Sequence, residues 1–251
     1  DIDYNDLTAN KILNLDIKLG NKCNLACRIC SSRCSSTWGR YADAETVEFD
    51  WLANESSTFW SDIIGVSKDV RYITFAGGEP LLDKTHRKLL QYFIDTELSK
   101  QVTLHYNTNG TVFADFLFNY WDKFKQVELR FSIDAVGKRF MYERFGSTWR
   151  TVSANLRKYA ETLYTCNIYA TVTNINVMYA NEVFELSERL GLPVSFSALS
   201  DPVELTVTNL PSIVKKSIRT KLMSVNDIEF KRQIQPILDI MYSKQGISSV
   251  R

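Results

Sequence analysis

Val127-Glu128-Leu129-Arg130-Phe131-Ser132-Ile133-Asp134 reads as one β-strand with two unlike faces. Successive side chains of a strand project to opposite sides, so Val127, Leu129, Phe131 and Ile133 point one way and Glu128, Arg130, Ser132 and Asp134 the other. A strand in a simple α/β sandwich would be apolar on both faces. The same alternation opposes Val102, Leu104 and Tyr106 to Thr103, His105 and Asn107, and Leu13, Leu15, Ile17 and Leu19 to Asn14, Asp16 and Lys18. Thr171 and Thr173, then Ser195 and Ser197, extend the polar set. With the apolar sets against outer helices, the polar sets line a common interior. A closed eight-stranded barrel would fill that interior with branched aliphatics, so the pattern predicts a curved, incompletely closed barrel with a polar lumen.

Working outward, β-branched apolar segments alternate with helix-like ones, which is the signature of parallel βα units. The strands expected are Ile12–Leu19, Val70–Ala76, Val102–Asn107, Val127–Ile133, Asn167–Thr173 and Val194–Leu199. Helices are expected over Thr37–Val66, Lys84–Leu98, Ala114–Lys123, Trp149–Thr162 and Ala180–Leu190, the last ended by Gly191 and Pro193. After Ser200 no strand follows. Asn209-Leu210-Pro211 and Asn226 read as the starts of two more helices, the second kinked or broken by Pro236. The expected division is a barrel over residues 1–200 and a helical C-terminal extension over 201–251.

The chain of 251 residues, with 45% apolar and 12% aromatic residues, supports one large core. A net charge of +1 supplies no footprint for nucleic acid or an anionic membrane. No apolar run reaches the roughly 18 residues of a membrane span, and Asp1 to Asn10 is too polar for a signal peptide. Four of five cysteines crowd between Cys23 and Cys34, which argues against a disulfide framework and for metal in a reducing, cytoplasmic setting.

That crowding is the loop Lys22-Cys23-Asn24-Leu25-Ala26-Cys27-Arg28-Ile29-Cys30, directly after the first strand. Three thiolates spaced C-x3-C-x2-C can hold three irons of a cubane cluster and leave the fourth without a protein ligand. Other unusual residues also fall at strand C-termini, where parallel α/β folds bind ligands. Gly77-Gly78-Glu79-Pro80 follows the second strand, where paired glycines let a ligand approach the backbone and Glu79 can accept from an ammonium group. Asn107-Thr108-Asn109-Gly110 ends the third strand, and Ser132-Ile133-Asp134 the fourth.

With Tyr142-Glu143-Arg144 these motifs, in this order, resemble the radical S-adenosylmethionine (SAM) superfamily, and most closely its SPASM/twitch subgroup. The resemblance implies a partial (β/α)6 TIM-like barrel and a [4Fe–4S] cluster on Cys23, Cys27 and Cys30, with SAM chelating the open iron. The Gly77–Pro80 segment would receive the SAM amine, and Ser132 and Arg144 its carboxylate. Asp134 or Asn109 would take the ribose or nearby groups, Asn107 belongs to the same rim, and Ile29 would meet adenine. Reduction of the cluster by an external donor such as flavodoxin or ferredoxin would then yield a 5′-deoxyadenosyl radical. That radical abstracts hydrogen from a polar substrate, a peptide or protein residue, with a sugar, aminocyclitol or nucleotide as the alternative. The chain departs from SPASM and twitch members in having no cysteine after Cys166 for an auxiliary cluster.

Several residues carry two readings. Cys23, Cys27, Cys30 and Cys34 would also suit a tetrahedral zinc in a non-catalytic module. Cys34 is either a hydrogen-atom donor to a substrate radical or a small loop residue. His105 is either a substrate contact and proton shuttle or a hydrogen-bonded interior histidine. Cys166 reads as a buried structural thiol, and His86, among Lys84, Arg87 and Lys88, as a solvated surface residue. Phe113, Phe116, Phe118, Tyr120 and Trp121 read as helix packing. Lys215, Lys216, Arg219 and Lys221 form a basic helix face, either solvated or suited to an acidic electron donor.

Overall fold

The computed structural model of the protein describes residues 11–41 and 58–243. In chain order the strands are β1 (Asn14–Lys18), β2 (Ala26–Cys27), β3 (Tyr72–Ala76), β4 (Thr103–Thr108), β5 (Gln126–Ser132), β6 (Arg144–Phe145), β7 (Thr165–Val172) and β8 (Val194–Ala198). The helices are α1 (Phe59–Val66), α2 (Arg87–Asp95), α3 (Phe118–Trp121), α4 (Gly137–Glu143), α5 (Trp149–Ala160), α6 (Ala180–Leu190), α7 (Ser212–Met223) and α8 (Ile228–Tyr242). All six expected strands are present, and α6 has the expected bounds. Of the helix expected over Thr37–Val66, the described part is a 3-10 turn at Ser36–Arg40 and α1, while residues 42–57 lie outside the described residues.

The chain divides into two units, Asp1–Asn24 with Ser32–Thr108 and Val112–Leu129, and Leu25–Ser31 with Asn109–Thr111 and Arg130–Arg251. The main sheet has the order β1-β3-β4-β5-β7-β8. In the first unit β1 pairs with β3 and β3 with β4, both parallel. Helix α2 buries one stripe because its apolar positions recur at helical spacing, with Leu89, Leu90 and Phe93 buried. Its approach is fixed by Asp83, whose Oδ1 accepts from the N–H and hydroxyl of Thr85 at 2.7 and 2.6 Å.

His86 departs from the surface reading. It stands directly before α2, three, four and seven residues ahead of Leu89, Leu90 and Phe93, so it shares their stripe and is wholly buried. Its ring lies 4.8 Å from Phe75 and 5.7 Å from Tyr106. Burial, reinforced by the charge of Arg87, lowers its pKa from 6.5 to about 3. Neither ring nitrogen has a hydrogen-bond partner. The backbone of Asp83 pulls weakly the other way.

In the second unit β7 and β8 pair in parallel from Ile168↔Val194 to Val172↔Ala198. Helix α5 starts at Thr148, whose hydroxyl caps the N–H of Thr151. Gly191, at φ 63°, closes α6 in the left-handed conformation. Helix α8 starts at Asp227, which accepts from the N–H of Phe230 at 2.7 Å. It packs back through Phe230, whose ring lies 5.3 Å from Phe184 and 6.3 Å from Phe196.

The expected break at Pro236 does not occur, and α8 runs through it. Pro236 and Arg232 are both exposed, so the carbonyl freed four residues upstream faces water, while Ile234, Ile237, Leu238 and Met241 stay buried. The basic face of α7 is also less free than the solvated reading held. Lys215 Nζ donates to the carbonyl of Thr208 and Lys221 Nζ to that of Met178, at 2.8 and 2.7 Å. The same Lys221 sits over Tyr179, whose ring also carries Arg139.

Strand alternation holds in β5, where Val127, Leu129 and Phe131 are buried and Glu128, Arg130 and Ser132 half-buried. It also holds in β7. Strand β4 departs from it, with Asn107 its only exposed residue, and so does β8. Strand β4 sits inside the sheet, and Glu128 and Tyr72 cover the polar side of His105. Cys166 is buried as expected; burial raises its pKa to about 12, and its Sγ lies 3.6 Å from the carbonyl of Tyr159.

Candidate functional site

In the first unit the glycine motif is a close-approach turn. Gly78 N–H donates to Gly20 and Glu79 N–H to the carbonyl of Lys22, at 2.9 and 2.8 Å. Gly77, at φ 119°, could not carry a side chain, because a Cβ would lie 2.5 Å from the carbonyl oxygen of Gly20. The motif is therefore laced to the chain leaving β1, directly before Cys23. Pro80 is buried at the head of a 3-10 turn. Glu79 is also buried, and its Oε1 accepts from Leu81 N–H at 3.1 Å and from the hydroxyl of Thr108 at 2.8 Å.

Cys23 is half-buried and pinned by a 3-10 turn that the motif reading passed over. Its carbonyl accepts from Thr37 Oγ1 at 2.6 Å, and its N–H donates to Ser36 Oγ at 3.2 Å. Cys34 is exposed. His105 faces Glu128, with Nδ1 3.0 Å from the carboxylate, and Asn107 is exposed at the end of β4.

In the second unit the cysteine loop is tied down by a short antiparallel ladder that was not foreseen. β2 pairs with β6 so that Cys27 lies opposite Arg144 and Ala26 opposite Phe145. Arg144 is buried; Nη2 reaches Asp134 Oδ2 at 2.8 Å, and Nη1 stands 3.9 Å from Cys27 Sγ. Asp134 is held in turn by the N–H of Thr171 at 2.8 Å. Cys30 N–H donates to the carbonyl of Cys27 at 3.0 Å. On the outer side Arg28 lies 3.8 Å over the ring of Tyr142 and donates to its carbonyl. Ile29 and Ser132 are half-buried. Asn109 is buried in an Asx turn, its Oδ1 accepting from the N–H and hydroxyl of Thr111, and Asn155 secures the next carbonyl, that of Gly110, at 2.9 Å.

Glu143 is the titrating member of this network. Its burial, and next the nearby charge of Asp134, push its pKa from 4.5 up to about 7 against the opposing hydrogen bond from Asn176. A raised carboxyl pKa means the folded state holds the proton longer, so stability falls as pH rises from 4.5 to about 7. At about 1.4 kcal/mol per pKa unit the group destabilises the fold by roughly 3 kcal/mol at pH 8. Glu143→Gln keeps an acceptor for Asn176 and should gain that amount over wild type between pH 5 and pH 8 in urea denaturation. A pH-independent difference between the two proteins would refute the assignment.

Two features bear on a cluster and its ligand. Cys23, Cys27 and Cys30 are thiols outside any disulfide, and Arg144 Nε is a buried donor with no partner, so the donor chemistry suits an iron–sulfur cluster with an anionic group beside it. Among the described residues no three Cys, His, Asp or Glu side chains are already gathered as a metal site. No helix among them is long and apolar enough to cross a membrane.

The model of the radical SAM superfamily matches residues 17–186. No curated protein sequence matches the chain. Among solved structures, native anSMEcpe with bound AdoMet and the Kp18Cys peptide is 19% identical, with a TM-score of 0.58 over 73% of this chain and 50% of that one. Tagged anSMEcpe with bound AdoMet is 17% identical, with a TM-score of 0.61 over 83% and 59%. SuiB of Streptococcus suis bound to precursor peptide SuiA is 16% identical, with a TM-score of 0.59 over 90% and 47%. The chain thus spans about half the length of these structures. At such identities the likeness is one of fold, the α/β partial barrel expected from the strand pattern. The family's cofactors, a [4Fe–4S] cluster and SAM, are those to which the cysteine loop and the glycine turn point. The match over residues 17–186, two thirds of the chain, places it in the radical SAM superfamily.

Proposed function

We propose that this chain reductively cleaves SAM at a [4Fe–4S] cluster and directs the resulting 5′-deoxyadenosyl radical at a C–H bond of a peptide or protein residue. The observation that carries the reading is the three-cysteine loop whose Cys27 is set by strand pairing against the buried Arg144, a cation with an unused donor. When bound, the cluster supplies the electron that breaks the SAM sulfonium bond. Cys23, Cys27 and Cys30 are assigned as its ligands.

The chain's own residues bind and orient. Gly77, Gly78 and Pro80 offer backbone to the SAM amine, while Glu79 acts chiefly by holding that turn, since its carboxylate is engaged by Leu81 and Thr108. Ser132 and Arg144 Nε are assigned to the SAM carboxylate. Asp134 orients Arg144, and Asn107, Asn109 and Ile29 line the nucleoside side. His105, paired with Glu128, faces the substrate, and Cys34 is assigned as a hydrogen-atom donor. A peptide substrate is favoured because the structural neighbours include one solved with the Kp18Cys peptide and one with a precursor peptide. The electron comes from an external flavodoxin or ferredoxin in the cytoplasm, and residues 201–251 act as a helical extension of the core.

Anaerobic reconstitution with iron, sulfide, a strong reductant and SAM tests the proposal. Wild type should bind four irons per chain and release 5′-deoxyadenosine, and the Cys23→Ala, Cys27→Ala, Cys30→Ala triple variant should do neither. One zinc per chain with no sulfide, and no 5′-deoxyadenosine, would instead establish a zinc-bearing interaction module. Candidate peptides deuterated at single positions then identify the attacked carbon by transfer of the label into 5′-deoxyadenosine.

A further inference from the structure

We infer that Arg144, held by Asp134, sets the reduction potential of the cluster through the sulfur of Cys27. The inference rests on the reading of Cys27 as a cluster ligand and adds to Arg144 a second role besides contact with SAM. Backbone pairing creates the juxtaposition. Cys27 and Arg144 are opposed residues of an antiparallel ladder, and opposed residues put their side chains on the same side. The guanidinium therefore does not depend on a flexible search to meet the thiolate. It stands 3.9 Å away, with Arg144 7% and Cys27 8% exposed.

Water scarcely screens a charge in that position. Reduction adds one electron from the external donor and no proton, which makes the cluster and its three thiolates one unit more negative. A fixed cation at a ligand sulfur stabilises the more negative state and raises the potential, as do N–H donors to cluster sulfur. Asp134 opposes this. Its side chain is 2% exposed, its Oδ2 lies 2.8 Å from Nη2, and it is locked by the N–H of Thr171. The pair thus acts as an oriented dipole with its positive end toward Cys27, and its two ends should have opposite effects.

The test is an EPR-monitored redox titration of reconstituted wild type and three variants, with iron, sulfide and SAM-dependent 5′-deoxyadenosine measured on each. Arg144→Gln should lower the reduced-to-oxidised ratio at a fixed potential by roughly tenfold, equivalent to about 59 mV for a one-electron couple. Asp134→Asn should raise it, and Arg144→Lys, which keeps the charge, should restore most of the loss. If Arg144→Gln does not retain a cluster, the Asp134→Asn and Arg144→Lys titrations still decide by their direction and size. Midpoints equal to wild type in cluster-loaded variants would overturn the inference and leave the proposed function standing. A shift of the same sign in Arg144→Gln and Asp134→Asn would also overturn it, because that is the mark of a loosened, wetter site. A wild-type chain that takes up no cluster would overturn both.

Discussion

Gly78→Ala should destabilise the protein by about 3 to 5 kcal/mol and weaken SAM binding more than tenfold. The added Cβ would fall within the carbonyl group of Lys22, 2.5 Å from its carbon and 2.6 Å from the carbonyl carbon of Asn21. Those atoms are backbone, so no side chain can rotate away. The turn must instead separate from the chain that leaves β1, losing the hydrogen bonds Gly78 to Gly20 and Glu79 to Lys22. The site is affected with the fold, because the same chain continues into Cys23. Urea denaturation gives the stability and calorimetric titration the affinity. Gly65→Ala in α1 is the control: nothing lies within 4 Å of its added Cβ, and the change should stabilise by roughly 0.5 to 1 kcal/mol. Equal effects at the two glycines would refute the close-approach account.

The second large effect is acid lability centred on His86. Its folded pKa of about 3 lies below the ordinary 6.5, so the unfolded chain takes up the proton first. Its contribution is intact above pH 6.5 and is lost as pH falls toward 3. The full loss is about 5 kcal/mol, of which roughly 3 kcal/mol has gone by pH 4.5. His86→Phe retains an aromatic ring against Phe75 and Tyr106, has no nitrogen to protonate, and should escape that loss. Glu143 titrates with the opposite sign in the same window, so wild type should show a shallow net slope between pH 4.5 and 7. Each variant exposes one half of the cancellation: His86→Phe should become more stable toward acid, and Glu143→Gln less. Parallel pH profiles for wild type and His86→Phe would refute the lowered pKa of the histidine.

The placement of His86 shows where reading by composition failed. Lys84, Arg87 and Lys88 suggested a solvated neighbourhood, but position relative to Leu89, Leu90 and Phe93 is what governs burial on a helix. That spacing was present in the chain and pointed inward. Pro236 failed for a different reason: whether a helix tolerates proline depends on what surrounds the freed carbonyl, and here that is solvent. The ladder between β2 and β6 had no local signal at all, since two-residue strands are too short to show alternation and their partners lie far apart in the sequence.

The sequence by itself determined the six main strands, the close-packed glycine turn and the family. These depend on local periodicity, on glycine where a Cβ has no room, and on thiol spacing within one loop. Only the tertiary structure decided that Arg144 faces Cys27, that Asp134 is held by Thr171, that Glu143 meets Asn176, and that His86 is buried beneath aromatic rings. Those are contacts between distant segments, set by strand register and core packing. Charge and pKa at the site follow from what the fold excludes from water, which the order of residues alone does not state.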